Sequence, residues 1–297
     1  MVYLDCNDNY IYTDLALESY KSVENTLPHG ISYCEYDSGG ITVSELRVTS
    51  EEGAKALGRK KGTYITLSVG RLWEDERDAS DNAAKVLSQN INDMMHSVCQ
   101  SPERVLVCGL GNRLVTPDAL GPAAADKIRV TRHIKEENPR LFSEMCAYDI
   151  SAISTGVVAQ TGVETAEFIK GVAKTVSPSL IIVLDALAAR DVDRLATTIQ
   201  LCDSGISPGS GIGQKRKEIS KETMGVPVMS IGVPTVVSSA TLVYDALSAA
   251  GDEVDAKLKN VLETGRSFFV SINESDVMIS TMSDVISLAL NRVFFPE

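Results

Sequence analysis

From residue 105 onward the sequence alternates short apolar runs with amphipathic stretches, and this alternation limits the possible folds more than any other feature of the chain. Val105 to Leu110 and Leu180 to Leu184 run apolar without polar interruption, which is the pattern of strands buried on both faces. Thr197 to Leu201 alternates, and Pro227 to Val233 supplies a further strand. Between and after these runs, Gly121 to His133 (with Pro122 in its first turn), Gly162 to Lys174, Val236 to Ala250 and Ser275 to Phe294 have helical patterning. Buried strands alternating with helices predict an α/β fold, three layers α/β/α, around a mainly parallel central sheet.

The N-terminal third has a different grammar. From Ile31 to Thr49 apolar residues alternate on both sides of Ser38-Gly39-Gly40, which predicts a hairpin closed by a glycine turn, with Thr63 to Leu67 as a third strand and a charged helix over residues 76 to 98. The expectation is a single α/β/α domain over 15–297, with a β-rich elaboration over about 31–67 and no internal repeat or long linker.

Composition then removes several function classes. A net charge of −12, spread along the chain, argues against direct nucleic-acid binding, which requires cationic groups to neutralise phosphates. Six cysteines without a C-x-x-C pair indicate neither a disulfide scaffold nor a structural zinc. The three histidines lie in unrelated contexts, and no G-x-S-x-G elbow exists for a serine hydrolase. Because the best apolar run ends at Asp185 and no signal peptide is present, the expected location is cytoplasmic, without membrane contact.

Two aspartates stand where an open sheet collects ligands, beyond the carboxyl ends of its strands. Asp185 follows the run Leu180 to Leu184, and Asp118 lies in the loop that leaves Val105 to Leu110. Two neighbouring carboxylates cannot both ionise cheaply, so such a pair offers an acid and a base together, which is what hydrolysis of a peptide by water needs. The simpler alternative for Asp118 alone is an N-cap ahead of Gly121-Pro122. A second loop, Asp203 to Gly213, is rich in glycine and followed by Lys215-Arg216-Lys217. It reads as a substrate-side loop or, in a non-enzymatic alternative, as an anion- or nucleotide-binding module, although no Walker spacing or complete dinucleotide fingerprint accompanies it.

The motifs Gly109-Leu110-Gly111-Asn112, Thr116-Pro117-Asp118-Ala119-Leu120-Gly121-Pro122, Thr131-Arg132-His133, Asp185-Ala186-Leu187-Ala188-Ala189-Arg190, Asp203-Ser204-Gly205-Ile206 and Pro208-Gly209-Ser210-Gly211 follow one another along the chain. With Thr13-Asp14-Leu15-Ala16-Leu17-Glu18 and Gly232-Val233-Pro234-Thr235, this pattern resembles the germination (spore) proteases of endospore-forming bacteria. The resemblance implies an atypical aspartic endopeptidase with Asp118 and Asp185 as the catalytic pair. Asn112, Thr116, Asp203, Ser204, Gly205, Gly209, Gly211, Lys215 and Arg216 would then support or bind substrate.

It further implies small acid-soluble spore proteins as substrates in the forespore and spore core, a homotetramer, and a zymogen that cuts its own Asp14–Leu15 bond to release residues 1–14 as a propeptide. No cofactor is implied directly. The family's fold is similar to that of hydrogenase maturation proteases, where carboxylates in corresponding loops contact nickel, so a peptidase whose aspartates hold a divalent metal stands as the alternative mechanism.

Overall fold

The computed structural model describes residues 13–23, 28–74, 77–145, 147–209, 216–250, 257, 260–261 and 268–295. At its centre lies one mixed sheet of nine strands: β1 (Ile31–Ser38), β2 (Ile41–Val48), β3 (Gly62–Ser68), β4 (Arg104–Gly109), β5 (Asp149–Ser154), β6 (Leu180–Ala189), β7 (Thr198–Cys202), β8 (Val228–Ser238) and β9 (Phe269–Val270). Their order is β1-β2-β3-β7-β8-β6-β4-β5, with β9 paired to β8. Pairing is parallel through β5, β4, β6 and β8. It is antiparallel from β8 through β7, β3 and β2 to β1, so the N-terminal hairpin extends the same sheet.

Strand alternation assigns side chains to the two faces. On one face Leu180, Ile182 and Leu184 of β6 join Val105 and Val107 of β4 beneath the helices Arg77–Val98, Leu120–Ala125 and Ser275–Phe294. On the other, Ile181 and Val183 meet Leu106, Cys108 and the helix Thr165–Val176. The helix Ala16–Val23 covers the rest of this second face, burying Ala16, Leu17 and Tyr20 against β2 and β3. Each fully buried aliphatic side chain of this kind contributes about 1.5–3 kcal/mol. The helix Ser275–Phe294 has the length and mean hydropathy (1.3) of a membrane span, but its apolar side, from Met278 to Phe294, is packed into the first face.

Several elements depart from the sequence expectation: β5 and the helix Glu51–Leu57 are absent from it, Val236 to Ser238 continues β8 instead of starting a helix, and two further departures lie nearer the candidate site. The helix expected over Gly121 to His133 stops at Ala125, and a new one starts at Arg132. Thr131 explains the break: its N–H donates to the Ile150 carbonyl (3.0 Å), while its hydroxyl oxygen accepts from the Ile150 N–H (2.8 Å). Those bonds pin the chain to β5 and prevent the helix from continuing. β6, in turn, does not end before Asp185 but continues to Ala189, because β8 keeps pairing with it beyond the end of β4.

Candidate active site

β4 and β6 are parallel neighbours, with Gly109 opposite Leu184. The Leu110 N–H donates to the Leu184 carbonyl (2.8 Å) as the last bond between them, so Asp185 is the first β6 residue past the shared edge. Helix Leu120–Ala125 is seated against both strand ends: a Cβ on Gly121 would lie 2.3 Å from the Leu110 carbonyl oxygen and 2.4 Å from that of Leu184. Only glycine permits that approach. It brings the 3₁₀ turn Thr116–Asp118 against β6 and β8, where the Thr235 hydroxyl donates to the Pro117 carbonyl at 2.7 Å.

Asp118 is not a helix cap. Its Oδ2 accepts the Asn112 N–H at 2.8 Å, across a loop that Gly111 closes at φ +112°, a conformation rarely open to other residues. Asn112 is itself fixed, its Oδ1 accepting from the Leu114 N–H (2.9 Å) and from Gln160 Nε2 (2.6 Å). Burial raises the pKa of Asp118 and the Asn112 hydrogen bond opposes that rise. Asp185 is 6% exposed, and its proton affinity is pushed well above the usual carboxylate range by burial first, then by the charges of Asp118 and Asp14. One N–H, that of Ala186 at 2.9 Å, acts in the opposite direction.

Asp14 belongs to this cluster because the segment Thr13 to Glu18 is laid against the continuation of β6 beyond β4. The Asp14 N–H donates to the Ala188 carbonyl (2.8 Å) and the Ala188 N–H donates to Asp14 Oδ2 (2.9 Å). Leu15 is fully buried among Leu187, Ala189, Leu195 and Val237. Gln200 spans the same stretch, accepting the Ala16 N–H (2.7 Å) and donating Nε2 to the Asp14 carbonyl (3.0 Å). The Glu18 carboxylate accepts the N–H groups of Arg190 (2.9 Å) and Asp191 (3.1 Å), with Arg194 Nε at 3.5 Å and the Thr13 hydroxyl beside it.

The structure therefore brings Asp118, Asp185, Asn112, Asp14 and Leu15 together, with Thr116 exposed at the start of the turn. The second loop begins elsewhere. β7 runs antiparallel to β8, so Asp203, Ser204 and Gly205 leave it at the end opposite Asp185. Asp203 accepts the Thr63 N–H (2.7 Å), the Ser204 hydroxyl meets that of Tyr64 (3.1 Å), and Gly205 packs on the Ile219 carbonyl. Ile206 nonetheless reaches back to the cluster that holds Leu15, and Gly209 follows at φ +73°. Arg216 lies 3.6 Å from Glu164, and Lys217 is ion-paired to Glu167, which spends much of their charge within the protein. Gly211, Lys215 and residues 1–12 of the expected propeptide lie outside the described residues.

Gln200, Arg194 and Gln160 were not singled out from the sequence. For Gln200 a signal existed, a long amide on the alternating strand Thr197 to Leu201, with Ile199 and Leu201 facing the core. Nothing in the sequence marked Arg194 or Gln160. Among the described residues no three His, Cys, Asp or Glu side chains converge to hold a metal ion. A divalent metal there would rest on Asp118 and Asp185 with water completing its shell, and no catalytic step is routed through one. The paired carboxylates, one strongly favouring its proton, suit acid-base activation of water instead.

Comparison with known proteins agrees with these motifs. The germination protease family model matches residues 13–260. The germination protease of Caldanaerobacter subterraneus subsp. tengcongensis is 45% identical over 237 residues, covering 80% of this chain and 72% of the relative. That of Priestia megaterium is 41% identical, covering 86% and 70%, and that of Clostridium tetani is 34% identical, covering 96% of both chains. Among solved structures, a nickel-iron hydrogenase maturation protease from Thermococcus kodakarensis aligns with 66% of this chain and 97% of its own at 15% identity and a TM-score of 0.35, a likeness too slight to bear on function. Since the matched span contains Asp14, both paired aspartates and every strand that positions them, the chain belongs to the germination protease family.

Proposed function

We propose that the chain is an endopeptidase that begins the breakdown of small acid-soluble spore proteins in the spore core, and that it is made as a zymogen which cuts its own Asp14–Leu15 bond. Family membership makes it a peptidase of spore germination. The observation that supports the processing site is the docking of Asp14 on β6, three residues beyond Asp185 and close enough for its charge to act on that carboxyl. A homotetrameric zymogen held in the forespore completes the reading.

In this mechanism Asp185, which holds its proton more tightly, hydrogen-bonds the scissile carbonyl, and ionised Asp118 takes a proton from the attacking water. The water oxygen bonds to the carbonyl carbon and the C–N bond breaks. The proton taken up by Asp118 passes to the departing nitrogen, which for the self-processing bond leaves an Asp14 carboxylate and a Leu15 amine. No covalent enzyme intermediate is required.

The test is cleavage of a small acid-soluble spore protein by wild type, Asp118→Asn and Asp185→Asn, each with folding verified and with and without chelator. General acid-base groups typically contribute 10²–10⁴-fold, so each variant is expected to lose at least about 10²-fold in rate, with wild type indifferent to chelator. A variant that stays active removes the pair. Loss of wild-type activity on chelation alone replaces it with the metal mechanism.

A further inference from the structure

Gln200 is a buried amide, 7% exposed, on a strand whose other role is to continue the sheet. In the sheet register it lies opposite Gly232 on one side, and Asp185 lies opposite Gly232 on the other. Residues in one row of a sheet point to the same face, so Asp185 and Gln200 stand on one face, about two strand spacings (~10 Å) apart. Between them Gly232 contributes no side chain, and the Leu187 side chain lies over it. The segment Asp14 to Ala16 lies over this part of the sheet.

The two hydrogen bonds of Gln200 also fix which way its amide faces. Ala16 N–H can only donate and the Asp14 carbonyl can only accept. The Gln200 oxygen must therefore face Ala16 (2.7 Å) and the NH₂ must face Asp14 (3.0 Å). A flipped amide would lose both bonds. The result is an N–H donor locked onto the one carbonyl that belongs to the Asp14–Leu15 bond.

We infer that Gln200 is a catalytic residue that donates the hydrogen bond stabilising the oxyanion formed on the Asp14 carbonyl during self-processing. The inference rests on Asp14–Leu15 being the processed bond. As water adds to the carbonyl carbon, negative charge builds on an oxygen already held by a preorganised donor, and no reorganisation is needed to meet it. After the cut, Ala16 N–H still holds the Gln200 oxygen, so the freed Nε2 keeps its aim at the space that Asp14 leaves and can serve a substrate carbonyl in the same way.

The test is the rate and position of self-processing in the full chain, read by mass spectrometry, for wild type, Gln200→Leu and Gln200→Glu, with thermal unfolding measured alongside. Loss of one oxyanion donor typically costs 10²–10³-fold, so Gln200→Leu is expected to slow cutting after Asp14 by about that factor. Gln200→Glu preserves the shape and can donate only while its carboxyl is protonated. Its rate relative to wild type is expected to fall as pH rises, whereas a purely structural role gives a flat ratio. Should Gln200→Leu fail to fold, the pH dependence of the Gln200→Glu ratio decides alone. Wild-type cutting after Asp14 combined with a wild-type rate in Gln200→Leu, or with a flat ratio in Gln200→Glu, overturns the role of Gln200 and leaves the processing site standing. Wild-type cutting at a different bond overturns both.

Discussion

Asp14 and Ala188 hold each other twice, the Asp14 N–H on the Ala188 carbonyl (2.8 Å) and the Ala188 N–H on the Asp14 carboxylate (2.9 Å). The second bond places a negative charge near Asp185 and raises the proton affinity of that carboxyl. Asp14→Ala removes both the charge and the acceptor. The expected result is a lower Asp185 pKa in the variant than in wild type, visible in a carbon-13 carboxyl titration. An unchanged Asp185 titration would show that the charge of Asp14 is not felt.

Asp185 itself is kept at a cost in stability. Its folded pKa lies above its unfolded value, so the folded state binds the proton more tightly. Stability from this group is present in full below the unfolded pKa and is lost as pH rises toward the folded pKa. Asp185→Asn, which cannot ionise, escapes that loss. It is expected to melt higher than wild type at neutral pH, by ~2–4 °C for each kcal/mol relieved in a chain of this size, and the gap should close toward pH 4. The same variant is expected to be inactive, an exchange of activity for stability. A lower Tm at neutral pH would count against a strongly raised pKa.

The parts of this site legible in the sequence were those set by strand patterning and by local motifs. The run Leu180 to Leu184 placed Asp185 beyond a strand end, and the structure sets that strand beside the one from which the Asp118 loop departs. What remained hidden depends on contacts distant in sequence. The break at Thr131 arises from bonds to Ile150, and Gln200 acquires its partners from Asp14 and Ala16, more than 180 residues earlier. No local pattern encodes such pairings. The hairpin, by contrast, closes on the two-residue turn Gly39-Gly40 with Ser38 opposite Ile41, as alternation on both sides predicted.

Gly121 joins the fold to the site, since its missing Cβ lets the helix carrying the Asp118 turn sit on the ends of β4 and β6. Gly121→Ala would place a methyl group 2.3 Å and 2.4 Å from two backbone oxygens, neither of which can rotate away. Overpacking of this kind typically costs about 1–3 kcal/mol and here must also displace the turn Thr116–Asp118. The expectation is a lowered Tm together with a loss of peptidase activity larger than the loss of folded protein. Activity that fell only in proportion to the folded fraction would mean the displacement does not reach Asp118.

Glu18 sets the register of the segment that presents Asp14. Its carboxylate, 7% exposed, accepts two backbone N–H groups at the end of β6 and lies beside Arg194. Glu18→Ala removes the acceptor of both, so the part-buried Arg190 N–H loses its partner at a cost of up to about 1–3 kcal/mol while the exposed Asp191 N–H turns to water. Glu18→Gln retains one oxygen as an acceptor but loses the charge, so its cost should be smaller. Because Asp14 lies four residues before this anchor, loosening it allows the chain to slide along Ala188 and Gln200, and self-processing should slow in the order wild type, Glu18→Gln, Glu18→Ala. Mass spectrometry of the products is the discriminating measurement: a slipped register yields cuts next to Asp14–Leu15 as well as slower cutting. Clean cutting at Asp14–Leu15 at the wild-type rate in Glu18→Ala would assign the Glu18 clamp to stability alone.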